Sequence, residues 1–104
     1  MKFPVIIEPA AESDIRAAFE WYEAQVEGLG HEFLVSLRSC FGRLERSPET
    51  YSIAFGRLRR ARVERFPFGV FYIFSNESVY VLGVMHHKQN PQSWMKRIKL
   101  WGGS

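Results

Sequence analysis

Phe68-Gly-Val-Phe-Tyr-Ile-Phe74, then Ser-Asn-Glu-Ser, then Val79-Tyr-Val-Leu-Gly-Val-Met85 is the stretch that decides the fold. Both apolar runs are rich in β-branched and aromatic residues, and four turn-type residues separate them, so they are expected to pair as a hairpin. Neither run alternates cleanly between apolar and polar. Near-continuous apolar strands are covered on both faces, which places this hairpin in the middle of a sheet.

Working outward, Arg59–Phe66 is weakly alternating and reads as a further strand, with Val63 and Phe66 as burial candidates, while residues 48–58 read as a loop. Upstream, Phe33, Leu34, Leu37, Phe41 and Leu44 recur at helical spacing until Ser47-Pro48 ends the pattern. Before them Ile15, Ala18, Phe19, Tyr22 and Val26 form a second apolar stripe. Pro9 suits that helix's first turn, and Glu12 and Asp14 complement the positive end of its dipole. Gly28-Leu29-Gly30 interrupts the two stripes, predicting an antiparallel helical hairpin near 10–26 and 31–46. Phe3–Glu8 reads as a first strand, with Pro4 placing its start near an edge. Pro91–Leu100 reads as a short terminal helix docked through Trp94, Ile98 and Trp101, and Gly102–Ser104 as a frayed tail. The expectation is an α+β fold over residues 1–101, of order β-α-α-β-β-β. Its helical hairpin packs on a largely antiparallel four-stranded sheet, with a short C-terminal helix. Tyr72, Leu82 and Phe41 are expected in the core.

A chain of 104 residues can bury roughly two-thirds of its unfolded surface without disulfides or metals. Its single cysteine, Cys40, excludes an internal disulfide. No signal peptide and no run of about 18 apolar residues is visible, so the expected location is cytoplasmic, with no membrane partner. The net charge of +3 conceals a division. Residues 1–52 carry nine acids and five bases, a balance of −4, whereas residues 53–104 carry two acids and nine bases, a balance of +7. The second half is therefore expected to face a polyanion or an acidic protein segment, the alternative being a solvated basic rim.

Arg57, Arg59, Arg60, Arg62 and Arg65 place five guanidinium groups in nine residues, a group that matches carboxylate and phosphate bidentately. On a strand Arg60, Arg62 and Glu64 would share one face and Arg59, Ala61, Val63 and Arg65 the other, so the arginines cannot all reach one ligand. Adjacent His86 and His87 would likewise point to opposite faces, leaving one, His87 beside Lys88, exposed as a proton donor near phosphate. Trp21 is a candidate interface anchor. Cys40 reads as a buried hydrophobe, Glu20, Glu23 and Glu27 as a solvated face, and His31 has no evident partner. No metal site and no cofactor motif is read from the sequence.

Trp21-Tyr22, the run Arg62-Val63-Glu64-Arg65-Phe66-Pro67-Phe68, Val70-Phe71-Tyr72 and the ending Val84-Met85-His86-His87-Lys88-Gln89-Asn90-Pro91-Gln92-Ser93-Trp94 together resemble the RelE/ParE superfamily of bacterial toxins. The last segment is similar to the superfamily's His-x-Arg-Arg-Asp-Pro-x-x-Trp ending. The resemblance implies a type II toxin neutralised by a cognate antitoxin whose C-terminal segment wraps it, and it leaves two activities open. RelE-like members cleave ribosome-bound mRNA with basic residues, an arginine and a tyrosine; ParE-like members bind and poison DNA gyrase. Carried over residue by residue, Arg62 matches one basic position, but the second falls at Glu64 and the central-strand arginine at Gly69. The late arginine falls at Lys88, and the tyrosine at Trp94, which has no hydroxyl. The ParE-like reading is therefore favoured, with gyrase as target and Arg57, Arg59, Arg60, Arg62, Arg65, Trp21 and Trp94 as antitoxin- or target-binding residues. The alternatives are a ribosome-dependent endoribonuclease using Arg62, His87 and Lys88, or a non-toxic antitoxin-binding module. Oligomeric state is left open.

Overall fold

The helical hairpin forms because its two apolar stripes meet across a sharp reversal. In the computed structural model, which describes residues 1–101, α1 (Pro9–Gln25) and α2 (Leu29–Arg46) are separated by Val26–Gly28, with Gly28 in the left-handed region at φ 90°. Gly30 lies inside α2, where a side chain would collide with the Phe19 carbonyl 2.8 Å away. The break thus lies two residues earlier than the Gly28-Leu29-Gly30 interruption suggests. Glu23 and His31, expected to be unengaged, belong to this junction. The Glu23 carboxylate accepts the Gly28 and Gly30 backbone N–H groups at 2.7 and 2.9 Å. These contacts, that of Gly28 foremost, hold its pKa below the ordinary value. His31 packs edge-on against Phe19, 5.1 Å between ring centroids. The tail at 102–104 lies outside the described residues.

The sheet has five strands in the order β1-β5-β4-β3-β2, not four. They are β1 (Val5–Ile7), β2 (Ile53–Phe55), β3 (Leu58–Arg62), β4 (Phe68–Ser75) and β5 (Ser78–His86). The additional strand is β2, within the stretch read as a loop. Phe55 pairs with Leu58 across Gly56-Arg57, and Gly56 has φ 57° at the first position of that two-residue turn, where hairpins commonly take glycine. The β3 strand stops at Arg62 instead of continuing to Phe66. The β4–β5 turn is tighter than four residues: Ser75 pairs with Ser78, and Asn76 and Glu77 both have positive φ. All pairs are antiparallel except β1–β5, which is parallel and covers β5 only at Val79–Val81.

The hairpin is covered on both faces, as its composition requires. Val70, Tyr72, Val79, Val81 and Val84 pack against α1 and α2, while Phe71, Ile73, Leu82 and Met85 pack beneath α3 (Pro91–Leu100). Tyr72 and Leu82 are buried, whereas Phe41, expected in the core, is only half-buried at its margin. A bulge opposite Phe71 and Tyr72 leaves Leu82 without a cross-strand partner.

Beyond β1 the edge of β5 is closed by side chains. The Asp14 carboxylate of α1 accepts the Val84 N–H at 3.0 Å and both Arg97 guanidinium nitrogens of α3 at 2.8 and 2.9 Å, while Arg97 also donates to the Leu82 carbonyl. This hydrogen bonding with Asp14 raises the Arg97 pKa. Asp14, read as a helix-dipole partner, is thus chiefly a strand-edge cap. Among the described residues no helix is long and apolar enough to cross a membrane.

Candidate functional site

The period of two along β3 divides its arginines. Arg60 and Arg62 stand exposed on the same face as buried Leu58, which packs on the α3 side; Ala61 packs toward α1 and α2. Gly69, opposite Arg62, offers no side chain, so the methylenes of Arg60 lie across it, 3.0 and 3.1 Å from where a Cβ would be. Arg59 is turned to the chain before β2, donating to the Glu49 and Tyr51 carbonyls at 3.2 and 2.6 Å.

The turn after β3 is fixed from the helical side. Phe66 is buried between Tyr22 and Phe33, with ring centroids 5.0 and 5.3 Å away, and Val63 is fully buried. Arg65 adopts φ 72° within this turn and pairs with Glu32 of α2 at 2.7 Å. It is thereby held away from Arg60 and Arg62. Glu64 lies in this turn and not on the β3 strand.

Where β2 ends, β3 has an open edge, and a cleft of about 770 Å³ lies there. Arg60 and Arg62 line it with Arg43, Tyr51, Glu64 and His87, and Thr50 and Ser52 contribute hydroxyls. Arg43 of α2 closes the edge by donating to the Arg62 carbonyl at 3.2 Å; it also donates to the Tyr51 hydroxyl at 3.0 Å, Glu64 Oε1 at 3.0 Å and Ser39 Oγ at 3.4 Å. Burial works against its charge, but the Tyr51 hydrogen bond and nearby groups outweigh burial and raise its pKa. Below it, Tyr72 donates to the Pro48 carbonyl at 2.7 Å, tying the loop that carries Tyr51 to the sheet.

The two adjacent histidines part company. His87 lines the cleft, and burial, then the charges of Arg62, Arg60 and His86, lower its pKa. It is a neutral donor or acceptor at pH 7. His86 packs edge-on against Phe68, 5.3 Å between centroids, and lines a separate apolar hollow of about 440 Å³ with Ala18, Trp21, Tyr22 and Pro67. Trp21 is 60% exposed at its rim.

Of the sequence candidates, the fold brings Arg60, Arg62 and His87 together. Arg57 sits in the β2–β3 turn, Lys88 is exposed and does not line the cleft, and Trp94 is stacked on Phe71 beneath α3 at 5.5 Å. Cys40 is buried, its thiol pushed up to about 11 by desolvation, so it is no nucleophile. Sequence reasoning missed Arg43 and Tyr51. Arg43 falls on the polar side of an amphipathic helix, where nothing in the one-dimensional pattern distinguishes it from Arg38 or Arg46. Among the described residues no cluster of three or more His, Cys, Asp or Glu could hold a metal ion. The arrangement can therefore bind and position an anion through guanidinium, imidazole and hydroxyl donors.

Residues 5–91 match the family described as the ParE toxin of the type II toxin–antitoxin system parDE. Among solved structures the chain is similar to the chromosomal ParDE TA system from P. aeruginosa, with a TM-score of 0.73 and 12% identity over 82% of this chain and 96% of that one. At that identity the likeness speaks for the fold. No curated protein matches the chain.

Proposed function

This chain belongs to the ParE toxin family and is the toxin component of a type II toxin–antitoxin system with a cognate antitoxin, and we propose that it arrests growth by binding DNA gyrase rather than by cutting RNA. One observation carries the choice. Trp94, at the position where ribonuclease members of the superfamily carry a proton-moving tyrosine, is stacked on Phe71 with 20° between ring planes and has no hydroxyl to offer. Gly69, at the position of their central-strand arginine, lies under the stem of Arg60. Losing one well-placed charge stabiliser costs ~10²–10³ in rate; that arginine is absent here, and so is the proton-moving hydroxyl. Inhibition by binding needs neither group.

A second reading has one observation in its favour: Arg62 and His87 line the same cleft. In a mRNA endoribonuclease Arg62 would stabilise the phosphate, with His87 and Lys88 supplying proton and charge. The antitoxin reaches the basic half in either reading. Its acidic residues engage Arg60 and Arg62, Arg57 lines a separate hollow at the β2–β3 turn, and the apolar hollow beside Trp21 takes an anchoring side chain.

The test runs purified toxin with gyrase and plasmid beside translating ribosomes and a defined mRNA. Inhibited supercoiling with intact mRNA is expected. Cleaved mRNA that Arg62→Ala or His87→Ala abolishes, with supercoiling untouched, would replace the gyrase reading with the ribonuclease one.

A further inference from the structure

We infer that Glu64 is an internal competitor for the acidic partner of the cleft: its carboxylate occupies Arg43 until a carboxylate of an extended acidic peptide segment displaces it, making Arg43 the third guanidinium of the binding site. The inference rests on the reading of the cleft as the place where the antitoxin's acidic residues bind.

Glu64 is the one acid among the residues lining the cleft. Its side chain is 72% exposed, whereas that of Arg43 is 28% exposed. The acid is therefore the removable half of the pair. Arg43 keeps three further acceptors, Tyr51, Ser39 and the Arg62 carbonyl, so its guanidinium stays in place when Glu64 swings out. An exposed ion pair is worth no more than about fivefold in an equilibrium constant, so a partner carboxylate with Arg60 and Arg62 at its sides can outcompete it. Among the described residues neither Arg60 nor Arg62 forms an ion pair.

Charge and shape both favour a peptide as the occupant. Three guanidinium groups against one carboxylate leave the cleft positive, complementary to an acidic segment. Arg60 and Arg62 stand two residues apart on one face of a strand, about 6.6 Å along it, the same repeat at which alternate side chains leave an extended peptide. On the other side of the Val63–Pro67 turn lies the apolar hollow of Trp21, Tyr22, Phe68 and His86. A chain offering both carboxylates and aliphatic side chains fits the cleft and the hollow together, and a nucleic-acid strand fits only the cleft. Glu64 thus sets a threshold, since a ligand must supply more than one well-placed acid to gain Arg43.

The experiment titrates the full chain, wild type and variants, into a fluorescent hexaglutamate peptide and, separately, a fluorescent oligothymidylate of matched charge, reading anisotropy. Glu64→Gln is expected to bind the peptide two- to fivefold more tightly with an unchanged melting temperature, and Glu64→Ala to reproduce the gain. The double reversal Arg60→Glu, Arg62→Glu is expected to lower peptide affinity at least tenfold. If the reversal weakens binding but neither Glu64 variant tightens it, the competitor role is wrong and the cleft reading survives. If the reversal leaves peptide binding unchanged, the cleft reading fails and this inference with it. A gain at Glu64→Gln confined to the oligothymidylate would reassign the cleft to nucleic acid and overturn the proposal.

Discussion

Two edges of the sheet are closed by the same device and put to different ends. At the β5 edge Arg97 donates to the Leu82 carbonyl and grips Asp14, with the two side chains only 23% and 18% exposed. At the β3 edge Arg43 donates to the Arg62 carbonyl and grips Glu64, whose side chain stands largely in water. The first carboxylate also accepts a backbone N–H, so it satisfies the strand as well as the arginine. Among the described residues the second accepts only from Arg43, and it shares its cleft with Arg60, Arg62 and His87. An edge cap that is largely shielded from water and doubly bonded is structure; one whose acid is loosely held amid surplus positive charge is a place for a partner to bind.

The comparison is broken most directly at Asp14. Asp14→Ala strands Arg97 in a half-buried site and releases the Val84 N–H, and should cost about 2–3 kcal/mol. In a domain of this size that is a fall of roughly 10–20 °C in a thermal melt followed by circular dichroism. A loss under ~0.5 kcal/mol would mean that the two caps are equivalent. Next comes the support beneath the second cap. Tyr72→Phe removes the donor to the Pro48 carbonyl in a fully buried position and should cost about 1–2 kcal/mol in denaturant unfolding, with the Arg43 environment loosened. Glu64→Gln itself should change stability by no more than ~0.5 kcal/mol, because an exposed pair contributes little. The contrast with Asp14 is the point of the measurement.

The smallest effect is that of pH. His87 titrates below the ordinary imidazole value, so below about pH 6.5 the unfolded chain takes up a proton before the folded one does. Its contribution therefore favours the fold above that window and is lost as pH falls through it. The proton that finally enters the folded protein adds a positive charge beside Arg62. Binding of an acidic peptide should consequently strengthen as pH drops through the lowered value, and His87→Gln should flatten that dependence.

The sheet's centre was legible because Phe68–Phe74 and Val79–Met85 are apolar at nearly every position, which only double-sided burial explains. The helical hairpin was legible from its two stripes. The β2 strand was not, since Ile53-Ala54-Phe55 is too short to show a period and sits among Pro48, Thr50 and Ser52; Gly56 before Arg57 was the available sign of a hairpin. The separation of His86 from His87 followed from strand geometry alone. The cleft's full membership did not follow. Arg43 comes from α2, Tyr51 from the loop after it and Glu64 from a turn, and the buried docking of Phe66 against Tyr22 and Phe33, with the Arg65–Glu32 pair, brings the turn to the helices. Strand alternation already set Arg59 and Arg65 apart from Arg60 and Arg62, but not the contacts that hold Arg59 to carbonyls and Arg65 to Glu32, nor the turn that carries Arg57.

The two caps also close on different clocks. Arg43 meets Tyr51, Arg62 and Glu64 at separations of 8, 19 and 21 residues, whereas Asp14 meets Val84 and Arg97 at separations of 70 and 83. Each doubling of a closed loop adds about 0.6 kcal/mol of entropic cost, so the later pairing carries roughly 1.2 kcal/mol more before any contact rewards it. During refolding the β3 side is therefore sealed while β5 still presents unpaired backbone groups beyond β1, and it is along β5 that two half-folded chains would first adhere.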